Sequence, residues 1–432
     1  MKKNLFLLLM MVWSCGVLFG QQTWVKTFGG SKEDFARSVA KTLDSGSVIA
    51  GYTCSNDGDM QQLSKGDCDV YVCKLDRYGE VEWFRTIGGS RGDLGMCITS
   101  TLDSGYLFTG YTESENVDFE RILGSRDAYV VKLDKNGFIQ WKRSIGGSGI
   151  DWGTSISVTP DGGAILTGYT QSNDGDFKNM NVGRSDIFVV KIDAIGEVLW
   201  FKTIGGHAND MGMSTAAASD NGVFVSGYTW SNSGDFKGMT KGSEDIFIMK
   251  FDSDGELQWK RVLGGANGES SYSVAATDDG GVILTGYSRS NDGDFKGMAA
   301  GETYIFVIKL DQHGRVQWKK SFGGSPTDDV GNSIAALSNG GYILAGEENE
   351  DVVVVKMNHT GETQWKKLII GSRHDTGYSV IEAFDGGLII TGRTFSNDGD
   401  FNDMNKGDSD IFVIKLDSSG NLQPSGKKSK EK

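Results

Sequence analysis

Proline and histidine are scarce in this sequence of 432 residues. It contains 3 prolines and 4 histidines, whereas glycine occurs 62 times. Abundant glycine without proline or low complexity indicates many tight turns and argues against a disordered or collagen-like chain. His207, His313, His359 and His374 form no close pair and no metal-ligand spacing. No histidine-based catalytic site and no zinc site is therefore predicted.

Positive charge is also in deficit. The 57 acidic residues outnumber the 43 lysines and arginines, and the net charge is −14. Nucleic-acid binding requires a basic surface, and an anionic membrane repels an acidic protein, so both kinds of target are disfavoured. Cations, neutral glycans and basic partners remain compatible with this charge.

A marked apolar run occurs only at the N-terminus. Lys2 and Lys3 precede apolar residues 5–13, a pattern typical of a secretory signal. We predict that residues 1–20 are removed and that the protein is periplasmic, displayed on the cell surface or secreted. No other run is long enough to span a bilayer. The alternative is a lipoprotein modified at Cys15, although Trp13 is a poor residue at that distance before such a cysteine.

Four cysteines follow the predicted signal, namely Cys54, Cys68, Cys73 and Cys97. An exported chain can oxidise them. Cys54 and Cys68 flank one loop, so the prediction is a Cys54–Cys68 disulfide together with a Cys73–Cys97 disulfide. The alternative is free, partly buried thiols.

Seven tryptophans divide the chain into repeats that start near residues 24, 83, 141, 200, 259, 318 and 365. A basic residue and Gly-Gly follow most of them, as in "WKRSIGG" from Trp141. A full repeat contains four strand-like segments, exemplified by "SISVTP", "AILTGYT", "DIFVVKID" and "EVLWFKTI", which we label a, b, c and d. Turn residues separate these segments, and none shows a helical period.

This pattern predicts an all-β fold, a seven-bladed β-propeller with four antiparallel strands in each blade. The chain opens on a lone d strand, "QTWVKTFGG", and finishes on a c strand, "DIFVIKLD". The N-terminal strand is therefore expected to complete the last blade and close the ring. The propeller should span residues 21–423, and the polar tail of residues 424–432 is predicted to be disordered.

The repeat "GYT…SDIFVVKID…GEVLWFKTIGG…D…DGG" resembles the bacterial seven-bladed β-propeller repeat (the SBBP repeat). The resemblance covers essentially the whole chain after the predicted signal. Repeat six departs from it, because "AGEENEDVVVVKMN" lacks about a dozen residues between strands b and c. The resemblance implies an exported propeller, often on surface or secreted bacterial proteins, and implies no single activity.

The b–c loops and the d–a crossings should lie on one face of the ring, here called the loop face, with the tight turns on the other, the turn face. Function usually resides in loops on a rigid scaffold. Each crossing carries one acid, expected near the mouth of the central channel, where a ring of acids could bind a cation or a polyol. The alternative is that each acid caps a turn. These residues are Asp34, Asp93, Asp151, Asp210, Glu269, Asp328 and Asp375.

The hexamer "SNDGDF" recurs from Ser172, Ser290 and Ser396 in the b–c loops. Calcium takes several oxygen ligands on short, glycine-bent loops, so a calcium site is one interpretation. Plain turn chemistry of Asn, Asp and Gly is the other. The predicted metal ligands are Asp174, Asp176, Asp292, Asp294, Asp398 and Asp400.

Several further residues carry expectations. Trp152 and Trp230 fall outside the tryptophan series and should lie on the loop face, where they could stack on a sugar ring. The serial tryptophans should instead pack between blades. The recurring lysine of strand c should pair with a nearby acid. The shortened sixth repeat should leave a notch for a partner, lined by Glu347, Glu348, Glu350 and Asp351.

The sequence thus predicts a non-enzymatic binding or scaffold protein whose partner, an unidentified protein or glycan, binds the acidic loop face. Two alternatives stay open. One is a glycan-active enzyme resembling a glycoside hydrolase, with carboxylates near the channel mouth. The other is a surface structural protein stabilised by calcium, the one cofactor considered. No residue is singled out as catalytic.

Overall fold

The computed structural model describes residues 21–119, 122–298, 302–324 and 327–422. The predicted signal and the predicted tail lie outside these residues. The described chain forms 28 β-strands arranged in seven four-stranded antiparallel sheets. No helix among the described residues is long and apolar enough to cross a membrane. The predicted seven-bladed β-propeller is confirmed.

The blades follow one another along the chain, and each contains strands a to d in that order. Blade 1 comprises β2 (Asp34–Lys41), β3 (Ser47–Thr53), β4 (Asp69–Leu75) and β5 (Val81–Ile87). Blade 2 comprises β6 (Asp93–Ser100), β7 (Tyr106–Thr112), β8 (Asp127–Leu133) and β9 (Ile139–Ile145). Blade 3 comprises β10 (Asp151–Val158), β11 (Ala164–Thr170), β12 (Asp186–Ile192) and β13 (Val198–Ile204). Blade 4 comprises β14 (Asp210–Ala217), β15 (Val223–Thr229), β16 (Asp245–Phe251) and β17 (Leu257–Leu263).

The remaining blades contain the shortened repeat and the ring closure. Blade 5 comprises β18 (Glu269–Ala276), β19 (Val282–Ser288), β20 (Tyr304–Leu310) and β21 (Val316–Gly323). Blade 6 comprises β22 (Val330–Ala336), β23 (Tyr342–Glu348), β24 (Asp351–Met357) and β25 (Thr363–Ile369). Blade 7 comprises β26 (Asp375–Glu382), β27 (Leu388–Thr394), β28 (Asp410–Leu416) and the N-terminal β1 (Trp24–Phe28). Short 3-10 turns lie in five b–c loops, at Gly58–Met60, Gly175–Phe177, Gly234–Phe236, Gly293–Phe295 and Gly399–Phe401.

The N-terminal strand closes the ring as predicted. β1 pairs antiparallel with β28, with Trp24 opposite Lys415 and Phe28 opposite Ile411. The last sheet therefore has the order β1-β28-β27-β26 and joins both ends of the described propeller by backbone hydrogen bonds. This pairing gives blade 7 the same four strands as the other blades, so no half-blade is left with an open edge.

The hydrophobic core lies between the blades. One cluster joins Ala128 and Val130 of blade 2 to Phe188 and Val190 of blade 3. Strand c is buried along its whole length in most blades, as in the β12 sequence "DIFVVKI". Because both of its faces pack against neighbouring blades, the strand is apolar at nearly every position rather than at alternate ones.

The serial tryptophans pack between blades, as predicted. Trp141 lies on the outer strand of blade 2 and contacts Gly196 in the c–d turn of blade 3, where an added Cβ would lie 2.9 Å from the indole. The other six tryptophans repeat this contact with a turn glycine of the next blade. The pairs are Trp24–Gly79, Trp83–Gly137, Trp200–Gly255, Trp259–Gly314, Trp318–Gly361 and Trp365–Gly420.

The strand-c lysines form the predicted ion pairs with acids of the a–b turns. The buried Lys191 lies 2.8 Å from Asp161, for example. Five other pairs are equivalent, namely Lys74–Asp44, Lys132–Asp103, Lys250–Asp220, Lys309–Asp279 and Lys415–Asp385. Blade 6 differs because Asn339 occupies the turn position, and Lys356 donates instead to the Ser418 carbonyl at 2.8 Å.

The cysteine prediction is correct for one pair and wrong for the other. Cys54 and Cys68 form a disulfide across the b–c loop of blade 1. Cys73 and Cys97 are free thiols. Cys73 packs between blades 7 and 1, whereas the Cys97 thiol donates to the Ile156 carbonyl in blade 3. The two side chains therefore face different blade interfaces and cannot meet.

The tryptophan–glycine contacts predict unequal costs for two glycine substitutions. Gly196 and Gly340 have similar left-handed φ values of 89° and 81°, but nothing lies within 4 Å of an added Cβ at Gly340. Gly340→Ala should cost only the backbone strain, about 1–2 kcal/mol of unfolding free energy. Gly196→Ala should lose about 1–3 kcal/mol more, because the methyl collides with Trp141. Urea unfolding of both variants measures the difference, and equal losses would show that the indole contact is irrelevant to stability.

Candidate functional site on the loop face

The b–c loops and the d–a crossings lie on one face and join neighbouring blades there. Arg126, just before strand c of blade 2, forms a parallel bridge with Ile150 in the crossing into blade 3. The same bridge links Ser185 to Asn209, Glu244 to Gly268 and Glu33 to Ser409. Backbone hydrogen bonds therefore connect neighbouring blades across the loop face and make this face rigid.

The crossing carboxylates are buried beneath this face. Asp151 is fully buried and accepts hydrogen bonds from the Gly147 amide at 2.8 Å, the Thr170 hydroxyl at 2.5 Å and the Ser172 hydroxyl at 2.8 Å. Asp34, Asp93, Asp210, Glu269 and Asp375 are equally buried and bind the equivalent hydroxyl groups. Burial raises the pKa of each of these carboxyls. They organise turns, and a ligand on the surface does not reach them.

Asp328 departs from this arrangement. Its side chain is 71% exposed and lies 3.7 Å from Arg289. The buried position of this crossing is occupied by Asp329, which accepts a hydrogen bond from the Gly324 amide at 2.6 Å. The crossing into blade 6 is one residue longer than the others, so counting from Gly-Gly selects the wrong aspartate.

A second set of acids opens strand c in six blades. Five of them are buried, and sequence reasoning singled out only the sixth, the partly buried Asp351 of blade 6. Asp186 accepts a hydrogen bond from the Val182 amide at 2.7 Å through Oδ2, while its Oδ1 lies against Gly205. An added Cβ on Gly205 would lie 2.2 Å from that oxygen, and one on Gly206 would lie 2.6 Å from Ser231. This double close approach explains the Gly-Gly of the repeat. The signal was the aspartate that recurs at the start of strand c, as Asp69, Asp127, Asp186, Asp245, Asp351 and Asp410.

The "SNDGDF" loops have the geometry of hydrogen-bonded turns. Asp174 accepts from the Ser148 amide at 2.6 Å and Asp176 from the Gly146 amide at 3.0 Å, while Gly175 has a φ of 58°. Asp292, Asp294, Asp398 and Asp400 accept equivalent crossing amides. Among the described residues no three carboxylate, histidine or cysteine side chains are grouped as metal ligands. Calcium binding at these loops stays a prediction.

The shortened connection of blade 6 is a two-residue hairpin. Asn349 and Glu350 have φ values of 56° and 68°, as a tight turn between paired strands requires. Glu347 lies 2.7 Å from His374, and Glu348 lies 2.5 Å from Lys366. Two of the four acids predicted to line a partner groove are therefore already paired within the fold. Their contact with a partner stays a prediction.

A belt of largely aromatic residues lies at the loop-face end of the innermost strands, where each of blades 1 to 5 contributes a tyrosine. The tyrosine of each "GYT" lies opposite the second residue of strand a, so the two share a side of the sheet. Trp152 stacks on Tyr111 of the preceding blade at 4.4 Å between ring centroids and lies 5.6 Å from Tyr169. We define the mouth belt as the pairs Phe35–Tyr52, Leu94–Tyr111, Trp152–Tyr169, Met211–Tyr228, Ser270–Tyr287, Val330–Glu347 and Thr376–Arg393.

A bulge in each innermost strand adds a second tier to this belt. The register of strand a shifts after its third residue, which leaves one residue without a partner on strand b. Such bulges redirect side chains and are frequent beside functional sites. The bulge residues are Arg37, Met96, Thr154, Met213, Tyr272, Asn332 and Tyr378. Sequence reasoning singled out only Trp152 and Glu347 among these two tiers.

The two predicted stacking residues occupy different environments. Trp152 is partly buried within the mouth belt, and its indole Nε1 has no hydrogen-bond partner among the described residues. Trp230 lies in the b–c loop of blade 4 and is 49% exposed. Both lie on the loop face, and Trp152 packs against the aromatic rings of Tyr111 and Tyr169.

Comparisons with known proteins show distant likeness. No family model matches the chain, so the resemblance to the SBBP repeat is not confirmed. Regulatory protein FlaEY of Caulobacter vibrioides is 25% identical over 205 residues, which are 45% of this chain and 21% of that protein. An uncharacterized WD repeat-containing protein of Acanthamoeba polyphaga mimivirus is 21% identical over 380 residues, 68% of this chain and 27% of that protein. The chain spans about a quarter of the length of these relatives.

Solved structures show the same low level of identity. BamB from Moraxella catarrhalis is 12% identical with a TM-score of 0.39, covering 88% of this chain and 83% of that chain. YCF48 bound to D1 peptide is 10% identical with a TM-score of 0.45, covering 91% of this chain and 96% of that chain. This likeness concerns the fold alone.

The buried acids predict an unusual dependence of stability on pH. Burial raises the pKa of Glu269 and Asp410 to about 7 and of Asp127 and Asp186 to about 6. The folded state therefore holds more protons than the unfolded chain above the ordinary carboxyl pKa, and the free energy of unfolding should fall as pH rises from about 5 to about 8.

Urea unfolding across this pH range measures the slope. Glu269→Gln should make the slope shallower by the contribution of one carboxyl, because the neutral amide binds no proton in either state. Stability that increases steadily from pH 5 to pH 8 in the unmodified protein would contradict the assignment.

Proposed function

We propose that this protein is a non-enzymatic binding or scaffold protein that acts after export, and that its partner docks on the loop face around the mouth belt. The observation that carries the proposal is the belt itself. It brings aromatic, methionine and arginine side chains to one end of a central channel. Residues of these types dominate the energetics of protein interfaces.

The rigidity of the belt supports a binding role. Its side chains stand on paired strands rather than on free loops, and crossing hydrogen bonds fix the surrounding face. A preorganised surface loses little conformational entropy on association. Trp152, Tyr169, Tyr228, Tyr272, Tyr287 and Tyr378 are only partly buried, so they present edges to a partner at the channel mouth.

The enzymatic alternative has weaker support. A glycosidase needs two carboxyl groups that reach the substrate, one of them with a raised pKa. The crossing acids with raised pKa are fully buried and accept hydrogen bonds from backbone amides and hydroxyl groups. Glu347, the acid of the belt, is engaged by His374 and by the Thr376 hydroxyl at 3.1 Å. Binding without turnover is therefore the function that this geometry favours.

Ligand screening of matched variants tests the proposal. The protein without residues 1–20 is screened against a displayed random-peptide library and a glycan array, and the best ligand is titrated against variants. Trp152→Ala should weaken binding at least about tenfold, the loss typical of an interface anchor. Ile195→Ala in the same blade is the control, because this exposed residue lies in a c–d turn on the turn face.

Thermal melting of both variants verifies that they fold. The proposal fails if Trp152→Ala and Ile195→Ala bind equally well, since the ligand then lies away from the belt. Chemical conversion of the bound ligand by the unmodified protein would favour the enzymatic alternative instead.

A further inference from the structure

Two arginines at the junction of blades 7 and 1 have no acidic partner in the part of the chain that the structure describes. Arg37 is the bulge residue of β2, and Arg393 is the belt residue of β27. Within the described residues neither guanidinium forms an ion pair or a hydrogen bond, and the Nε atom of each is shielded from solvent. Shielded donors in folded proteins normally have an acceptor, so this pair requires an explanation.

Both guanidinium groups surround the same two aromatic rings. The Arg37 Cζ lies 5.2 Å from the Phe35 centroid and 4.6 Å from the Tyr378 centroid. The Arg393 Cζ lies 4.4 Å and 6.0 Å from the same centroids. Cation–π contacts of this kind hold the two charges near each other and fix their orientation.

Two other arginines that lie over belt tyrosines have an acid nearby. Arg126 lies over Tyr111 at 4.9 Å but pairs with Glu113 at 2.7 Å. Arg289 lies over Tyr287 at 5.2 Å and lies 3.7 Å from Asp328. In a chain with a net charge of −14, these two neighbouring arginines form a local positive site at the junction of blades 7 and 1.

Tyr52 stacks on Phe35 with 4.7 Å between the ring centroids, and both guanidinium groups lie over that same Phe35 ring. Burial raises the pKa of Tyr52 to about 12, and the charges of Arg37 and Arg393 act on it in the opposite direction. Tyr52 is therefore a neutral donor at physiological pH. The exposed Glu33 also acts on Tyr52, but among the described residues it forms no ion pair with either arginine. The site thus presents guanidinium forks and a phenol to an incoming acceptor.

We propose that Arg37 and Arg393, with Tyr52 beside them, bind the terminal carboxylate of a polypeptide chain that enters the channel mouth. This inference rests on the proposed binding function and specifies its partner. The planar fork of arginine matches a carboxylate with two parallel hydrogen bonds. Residues preceding the terminus would lie on the partly buried aromatic side chains of the mouth belt.

A chain end fits this site better than an acidic sugar. A pyranose ring needs an open aromatic face for stacking, yet Phe35 is 4% exposed and guanidinium groups lie over both it and Tyr378. A terminal carboxylate needs only a narrow approach along the channel axis. The structure therefore favours a polypeptide over an acidic glycan at these two arginines.

Peptide pools that differ only at the C-terminus test the inference. The probes are random heptapeptides labelled at the N-terminus, one pool with free carboxylates and one with C-terminal amides, titrated against the protein without residues 1–20. The free-carboxylate pool should bind at least about tenfold more tightly, because the amide cannot accept the bidentate pair. Arg37→Gln and Arg393→Gln should each abolish this preference.

Two further variants serve as controls. Arg289→Gln removes a loop-face arginine that has a nearby acid, and it should leave the preference unchanged. Arg37→Lys keeps the charge without the planar fork and should reduce the preference partially. Thermal melting verifies folding, and the two glutamine variants should melt no lower than the unmodified protein, since they remove unpaired like charges.

The outcomes separate this inference from the proposed function. Equal binding of both pools, lost in Trp152→Ala but not in Arg37→Gln, would overturn the carboxylate site and leave the belt as a binding surface. Displacement of bound peptide by oligogalacturonate, or by inorganic phosphate, at lower concentration than by free peptide would overturn the assignment to a chain end. Binding indifferent to Trp152→Ala and to both arginine variants would overturn the proposed function as well.

Discussion

Burial of one carboxylate beneath each crossing is the constraint on which the loop face depends. At Asp151 a single side chain joins the amide of Gly147, strand b through Thr170 and the b–c loop through Ser172. A charge removed from water is costly unless it is hydrogen-bonded, and this one receives three donors from three separate segments. These hydrogen bonds fix the positions of the crossing, the b–c loop and the start of the innermost strand relative to one another in each blade that has the buried acid. The Gly-Gly of the repeat lets the strand-c acid and the b–c loop serine approach the same crossing.

The residues that recur in every repeat form the scaffold, and the residues that differ between repeats give each blade its own side-chain chemistry at the channel mouth. Glycine, tryptophan, lysine and buried aspartate recur because every blade meets its neighbour in the same way. The residues at the channel mouth are not the same in every blade, because Glu347 replaces the belt tyrosine in blade 6 and Arg393 replaces it in blade 7. The shortened loop belongs to blade 6, the first of these two blades. The polar side of the mouth and the missing loop thus coincide in one sector of the ring.

The sequence alone was sufficient for the architecture and insufficient for the site. Period, turn residues and a lone first strand predicted seven blades and their closure, because these depend on backbone pattern. The mouth belt escaped notice because the tyrosine of "GYT" looks like an ordinary strand residue. Only the strand register and the bulge after Gly153 show which residues of strands a and b come together at this end of the blade. The predictions for Asp328 and for a Cys73–Cys97 disulfide were wrong for a related reason. Periodic spacing shows neither the effect of a one-residue insertion nor the blade interface that a side chain faces.

The pairing of β1 with β28 has a consequence for the order of folding. The first strand of the propeller finds its partner in residues 410–416, nearly at the other end of the described chain. Six blades can assemble from contiguous segments, whereas the seventh waits for both ends to meet. Until then β1 is an unpaired strand with a free hydrogen-bonding edge. It can then pair with strand β28 of another molecule. The β1–β28 pairing that completes the ring is thus also the point at which two newly made chains can exchange their first strands.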